Sequence, residues 1–306
     1  MSRSNLNLIS KIALTLFLGW FILYKIKLGQ LAGAFQNADL RFFYYAIPFL
    51  FFFNICKIAK WHLLLGVKHG KLKKVTVSYL IGLTFGLVTP GRIGELVRVI
   101  PFNREDRWRV GGLVVVDRIL EVLAIMAMTI LGALIYWGSI AGGMLGSIIL
   151  TGLLLLSCRH RMLGLLVRVA RKLPSGAKLE GAIQCFGELS QKRLFLSFAM
   201  AFICYAFSIY QFHLLLSAFC EISIRVVFLG APLVVLSNAI PVTVAGLGVR
   251  EGASALIFSS FDTPETAAVN AAFLLFVMNT FVPSMIGLLL FCRTLCSKFL
   301  PFIRSA

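Results

Sequence analysis

Long apolar runs alternate with short basic stretches along most of the chain. Six runs, at residues 8–28, 42–66, 112–137, 140–157, 194–217 and 266–291, approach or exceed the roughly 20 residues that cross a bilayer core. Each predicts a spanning helix. Two further runs, 75–101 and 226–260, are equally apolar but are interrupted by proline, glycine and charge. "TPGRIGELVRV" (89–99) closes the first, and "IPVTVAGLGVREGA" (240–253) lies in the second.

Lysine and arginine set the orientation of these runs. Most of the 30 fall in the segments 1–11, 57–74, 102–111, 158–193 and 292–306, whereas the turn near 138–140 and the loop 259–265 hold none. Basic segments stay on the cytoplasmic side, so both termini are expected inside. The run 75–101 then dips in from the cytoplasm and returns, and 226–260 dips in from outside. Residues 1–137 and 140–306 thus read as two repeats of opposite orientation, each with helix, helix, re-entrant hairpin and helix, within one transmembrane domain spanning 1–306. This is an inverted repeat, a plan shared by many secondary transporters. The basic connector 158–193 is expected on the cytoplasmic side, where its first half can form an amphipathic helix on the inner leaflet.

Composition agrees. Of 306 residues 59% are hydrophobic, and the mean hydropathy is +0.91, far above that of soluble domains. The fold class is therefore an all-α polytopic membrane protein, in the cytoplasmic (inner) membrane. Continuous apolar runs argue against a β-barrel, whose strands alternate. The first run has no small-residue cleavage site and reads as a retained helix rather than a signal peptide. The net charge of +18 is concentrated at helix ends and loops, which favours anionic lipid headgroups over nucleic acid. Seven scattered cysteines form no CxxC pair, so no structural disulfide, metal site or cofactor is expected.

The chemistry lies in charges set within apolar sequence. Irregular backbone at membrane depth survives only when enclosed by protein or lining a wet cavity. Pro90, Gly91 and Gly94 in the first broken run, and Pro241, Gly246 and Gly248 in the second, can make such breaks. Half-helix starts created there favour an anion. Arg92, Arg98 and Arg250 add positive charge beside them, and Glu95 and Glu251 can pair with these arginines or exchange protons. "VVVDRILEV" places Asp117, Arg118 and Glu121 inside an apolar helix. Either Arg118 and Glu121 snorkel to the inner surface, or Asp117 and Arg118 pair with Glu95 and Arg92 beneath the first hairpin. "CKIAKWHLLL" places Lys57 and Lys60 one turn apart beside Trp61. They either snorkel with an aromatic anchor or bind a lipid phosphate.

These motifs together resemble the flippase-like family, the transmembrane region of bacterial lysylphosphatidylglycerol synthases and its stand-alone relatives. The segments "TPGRIGELVRV", "VVVDRILEV", "AKWHLLL" and "IPVTVAGLGVREGA" carry the resemblance, which extends over nearly the whole chain. Lys60 stands where relatives often have arginine. No aminoacyl-transferase domain accompanies these helices, so lysyl transfer is not carried over. The resemblance implies movement of an anionic or polyprenyl-linked lipid between leaflets.

The expected function is a lipid translocator, flippase or scramblase. Arg92, Arg98, Arg250, Lys60 and Arg118 would bind the headgroup. Glu95, Asp117, Glu121 and Glu251 would balance charge or couple to protons. Two alternatives stay open: a membrane glycosyl- or phospho-transferase acting on a lipid carrier with Glu95 or Asp117 as base, and a small-anion transporter. No Walker loop, GxSxG or HExxH motif is present, so no catalytic residue is assigned. The partners are the membrane and its anionic phospholipid or polyprenyl-phosphate lipids. A homo-oligomer is compatible with this reading.

Overall fold

A computed structural model describes residues 38–66, 71–89, 92–137, 187, 189–237 and 248–303. The helices are α1 (Leu40–Leu65), α2 (Leu72–Val88), α3 (Arg107–Trp137), α4 (Gln191–Ser217), α5 (Ile224–Ser237), α6 (Val249–Ser259), α7 (Glu265–Phe276) and α8 (Val282–Ile303). A 3₁₀ turn occupies Ile93–Val99, and a π-helical segment at Val277–Phe281 joins α7 to α8. No strand occurs among the described residues.

Four helices are long and apolar enough to cross a membrane: Leu40–Leu65, Arg107–Trp137, Gln191–Ser217 and Glu265–Arg293. They coincide with four of the expected crossings. The crossings 8–28 and 140–157, nearly all of the connector 158–193, and Pro90, Gly91, Pro241 and Gly246 lie outside the described residues. Helix α3 begins at Arg107, five residues before the expected start, because "RWRV" continues the helix through its basic end. Its end tryptophans, Trp108 and Trp137, are 54% and 62% exposed. At 1.5 Å rise per residue they stand about 44 Å apart, matching a bilayer with its headgroup layers. α1 starts at Asp39, whose carboxylate accepts from the Arg41 N–H at 3.0 Å. α4 starts at Ser190, whose hydroxyl accepts from the Arg193 N–H at 3.3 Å.

Both broken runs fold back on themselves. After α2 the chain turns at Arg92, and the 3₁₀ turn returns along α2. Gly94 makes this possible: a Cβ there would stand 2.2 Å from the Phe85 carbonyl oxygen. The Thr89 hydroxyl accepts from the Gly94 N–H at 2.7 Å, and the Ser78 hydroxyl donates to the Arg98 carbonyl at 2.7 Å. In the second run α6 returns against α5, so that Gly230 faces Ile257 and Phe258.

Each folded-back run lies on a long helix from the other half of the sequence. α2 rests on α8, where a Cβ at Gly287 would meet the Leu80 carbonyl oxygen at 2.2 Å. The Thr84 hydroxyl also donates to the Ser284 carbonyl at 2.7 Å. α5 rests on α3, where a Cβ at Gly132 would meet the Phe228 carbonyl oxygen at 2.0 Å. α1 and α4 pack directly on each other. Small residues let backbones approach where apolar burial supplies no drive. The lipid-facing surface remains large: Tyr44, Phe51, Phe52 and Ile55 of α1, and Leu256 and Leu289, are all exposed.

Candidate functional site

Charged side chains from three elements, α1, the 3₁₀ turn and α3, meet under the first hairpin. Arg98, on the 3₁₀ turn, passes over Gly82, where a Cβ would come within 2.2 Å of its Cγ. Its guanidinium lies between Trp61 and Tyr79, at 5.2 and 5.1 Å from their rings. From there Nη1 donates to Asp117 Oδ2 at 2.8 Å, and Nη2 to Glu95 Oε2 at 2.5 Å. Arg118 pairs with Glu95 and, at 2.8 Å, with Glu121. Lys57 pairs with Glu121. Lys60 Nζ lies 2.7 Å from both Asp117 and Glu121. Arg92 approaches Glu95 only to 3.9 Å.

This cluster is enclosed. Lys60, Glu95, Arg98 and Asp117 are at most 1% exposed, and Lys57 and Glu121 are buried. Buried charges persist only when paired. Yet the five cations Lys57, Lys60, Arg92, Arg98 and Arg118 face only three carboxylates, Glu95, Asp117 and Glu121. Two positive charges are left over. Along α3, Asp117 and Glu121 lie about 14 and about 20 Å from Trp108, well inside the span between the two tryptophans.

The surplus faces a cavity of about 310 Å³. Lys57, Arg92, Arg98, Arg118 and Arg250 line it, with Glu121 as the one lining carboxylate among the described residues. Arg250 comes from α6 on the other hairpin, pairs with Glu251, and stands 4.6 Å from the Phe276 ring. Tyr205, Ser208, Asn279 and Thr280 line the remaining polar wall. The Nε–H groups of Arg98, Arg118 and Arg250 are buried without an acceptor. An unpaired buried donor is costly, and all three belong to side chains that line this one cationic cavity.

The structure brings Arg92, Arg98, Arg118, Arg250, Glu95, Asp117 and Glu121 together, as the sequence motifs implied. Three expectations change. Asp117 pairs with Arg98 rather than Arg92, because the 3₁₀ turn puts Arg98 on the face toward α3 and leaves Arg92 at the bend. Glu121 does not snorkel, since it is buried in the cluster, and Arg118 is turned into it by Glu95 and Glu121 with its side chain still 32% exposed. Lys60 and Trp61 do not face lipid or water: both are 0% exposed, and Trp61 Nε1 donates to Ser78 Oγ at 3.2 Å. Lys60 is a counter-ion enclosed by two carboxylates, while Lys57, its neighbour one turn away, reaches the cavity.

The half-helix starts are also not open anion sites. The Gly248 N–H, in a residue with φ of 85°, donates to Glu251 Oε2 at 2.6 Å. The Glu251 carboxylate thereby sits at the α6 start, and the Gly94 N–H is taken by Thr89. Sequence reasoning missed Tyr205, whose hydroxyl accepts from Lys57 at 3.2 Å. It also missed Asn279, which sits on the π-helical segment and donates to Gln211 at 2.7 Å. Isolated polar residues inside apolar spans were the available signal.

No curated protein and no solved structure matches the chain. Residues 8–287 match the family of the lysylphosphatidylglycerol synthase TM region. A charged cavity enclosed by membrane-length helices, carrying the same motifs that mark this family in the sequence, fits that match, and the chain belongs to the lysylphosphatidylglycerol synthase TM region family.

Proposed function

We propose that the protein moves the headgroup of an anionic phospholipid or polyprenyl-phosphate lipid between leaflets. The observation that carries this reading is a cavity lined by Lys57, Arg92, Arg98, Arg118 and Arg250, with Glu121 as the one lining carboxylate among the described residues. A lipid phosphate neutralises the two surplus charges. The acyl chains remain in the bilayer during the passage, which avoids exposing them to water at about 0.8 kcal/mol per CH₂.

The reading includes two repeats of opposite orientation, 1–137 and 140–306, with both termini cytoplasmic and the two folded-back runs entering from opposite faces. Reciprocal packing supports it. α2 of the first hairpin rests on α8, α5 of the second rests on α3, and α1 meets α4. Each hairpin contributes arginine to one cavity. Alternating exposure of that cavity carries the headgroup across. The reading is of a carrier rather than a catalyst, because Glu95, Asp117, Glu121 and Glu251 are each ion-paired to a buried cation, which holds them as charge-balancing groups.

The test uses the purified chain in liposomes carrying trace fluorescent anionic lipid. Dithionite bleaches label in the outer leaflet, so its second phase reports lipid crossing. Wild type is expected to speed that phase, with Arg92→Ala and Arg250→Gln each slowing it at least tenfold. Equal rates in empty and protein-bearing liposomes, with and without an imposed ion gradient, would overturn translocation.

A further inference from the structure

α1 and α4 run antiparallel along one seam. Three contacts mark it, about two helical turns apart on each helix. The Asp39 N–H donates to the Ala218 carbonyl at 3.0 Å, Gln211 Nε2 donates to the Ala46 carbonyl at 3.2 Å, and Cys204 Sγ donates to the Phe53 carbonyl at 3.8 Å. A helical carbonyl points at the N–H four residues on, so Cys204 meets α1 at the level of residues 56 and 57. Cys56 stands there. Its thiol and that of Cys204 are each other's hydrogen-bonding neighbours, and both are free.

This pair lies directly behind the cavity wall. Lys57 and Tyr205, the next residue on each helix, both line the cavity, and Lys57 Nζ donates to the Tyr205 hydroxyl at 3.2 Å. Neither cysteine is among the described lining residues.

Access to the two sulfurs differs. Cys204 is 0% exposed, whereas Cys56 is half-buried, one turn from the exposed Phe52 on the lipid-facing side of α1. A reagent dissolved in the bilayer reaches Cys56 first, and Cys204 is already beside it. A disulfide has short and specific geometry, so it closes readily only between thiols that adjoin beforehand.

We propose that Cys56 and Cys204 are a reversible disulfide site, oxidised from the bilayer by a quinone, that locks α1 to α4. Each thiol gives up one proton and one electron as the S–S bond forms. The quinone takes both electrons and both protons and leaves as the quinol. Exchange with a small dithiol restores the two thiols. In the translocation reading α1 and α4 belong to opposite repeats, and alternating exposure of the cavity moves one repeat against the other. A covalent bond between them opposes that motion. The lock rests on the translocation reading, whereas the bond rests on the two thiols alone.

The experiment uses the full chain in liposomes, treated with a fully substituted benzoquinone, which accepts electrons without alkylating thiols. Remaining thiols are blocked with N-ethylmaleimide in denaturant, and the digested protein is mapped by mass spectrometry. A peptide joining Cys56 to Cys204 is expected after oxidation and is expected to vanish after dithiothreitol. Alkylation of both cysteines after oxidation, or linkage of either to another cysteine, overturns the site. A joined peptide formed with the azo oxidant diamide but not with the quinone overturns the quinone as oxidant.

Lipid crossing is followed by albumin extraction of a short-chain fluorescent anionic lipid, because dithionite can itself reduce disulfides. Oxidation of wild type is expected to slow crossing about tenfold or more, and dithiothreitol to restore it. Cys56→Ser and Cys204→Ser are expected to cross lipid at the reduced wild-type rate with or without quinone, which also shows that they are folded. Joined wild type that crosses lipid at the reduced rate overturns the lock, and so does slowing of the serine variants by quinone. If the joined peptide forms but reduced wild type moves no lipid, the disulfide site stands and the translocation reading falls.

Discussion

Arg98 Nη1 and Asp117 Oδ2 lie 2.8 Å apart, and this pair fastens the first hairpin to α3 in the interior of the molecule. Asp117 also faces Lys60 at 2.7 Å. Replacing Asp117 alone therefore leaves two buried cations short of a partner in a cluster that already carries surplus positive charge. Asp117→Asn is expected to cost about 3–5 kcal/mol and to lower the midpoint of thermal unfolding in detergent. Lys60→Met combined with Asp117→Asn removes one cation and one anion together, and should recover part of that loss. A double variant no more stable than Asp117→Asn would show that Lys60 is not the counter-ion described.

Arg92 stands at the bend of the same hairpin with φ of 56°, in the left-handed region. A non-glycine residue there carries strain of about 1–3 kcal/mol, and Arg92 gains only a loose 3.9 Å approach to Glu95 in return. The strain is explained if the guanidinium serves a ligand rather than the fold. Arg92→Gly should then raise thermal stability and still lose lipid crossing. Arg92→Ala should lose crossing without gaining stability. If Arg92→Gly melts below wild type, the residue is structural and its place in the site is lost.

Much of this site was legible in the sequence, for physical reasons that differ by residue. Charges inside an apolar run must be paired or wet, so Asp117, Arg118 and Glu121 pointed to partners, and the nearest charged break supplied Glu95. Which arginine met Asp117 was not legible. That choice depends on the three-residue turn of a 3₁₀ helix, and an unbroken α-helix would have turned Arg98 elsewhere. Lys57 and Lys60 looked like snorkelling residues because they lie near the end of their run. Their burial depends on α3 and α4 closing over them, which no local pattern encodes. Asn279 and Gln211 are single amides 68 residues apart, and only the assembled helices reveal that one fixes the other. The expected crossings at 42–66, 112–137, 194–217 and 266–291 were clear because length and continuous hydropathy decide them.

Arg250 and Glu251 make a comparison possible within the second hairpin. Arg250 has one carboxylate partner, a buried Nε–H without an acceptor, and a place in the cavity lining. Glu251 holds both Arg250 and the start of α6. Arg250→Lys keeps the charge but loses the planar donor fork. It should weaken binding of a short-chain phosphatidylglycerol about tenfold with little change in thermal stability. Glu251→Gln should instead cost about 1 kcal/mol of stability through the weakened cap. Its free Arg250 should bind the anion as tightly as wild type or tighter. The reverse pattern would place the anion on neither residue.

The reciprocal packing of hairpins on long helices yields the last prediction. At Gly132 and at Gly287 an added Cβ would stand 2.0 and 2.2 Å from a carbonyl oxygen of the opposing helix, Phe228 and Leu80 respectively. Neither obstacle is a flexible side chain, so relief requires the helices to separate. Gly132→Ala and Gly287→Ala should each destabilise by about 1–3 kcal/mol or more, in the range of overpacked interiors. The two contacts share no residue, and their effects should add. Each also shifts a hairpin that carries arginine, so lipid crossing should fall with either variant. Gly252→Ala is the control, because nothing lies within 4 Å of the added carbon. It should leave stability unchanged or raise it slightly. Thermal unfolding of the four proteins in one detergent tests the set. A harmless Gly132→Ala or Gly287→Ala would mean that the hairpins are not seated on the long helices in this way.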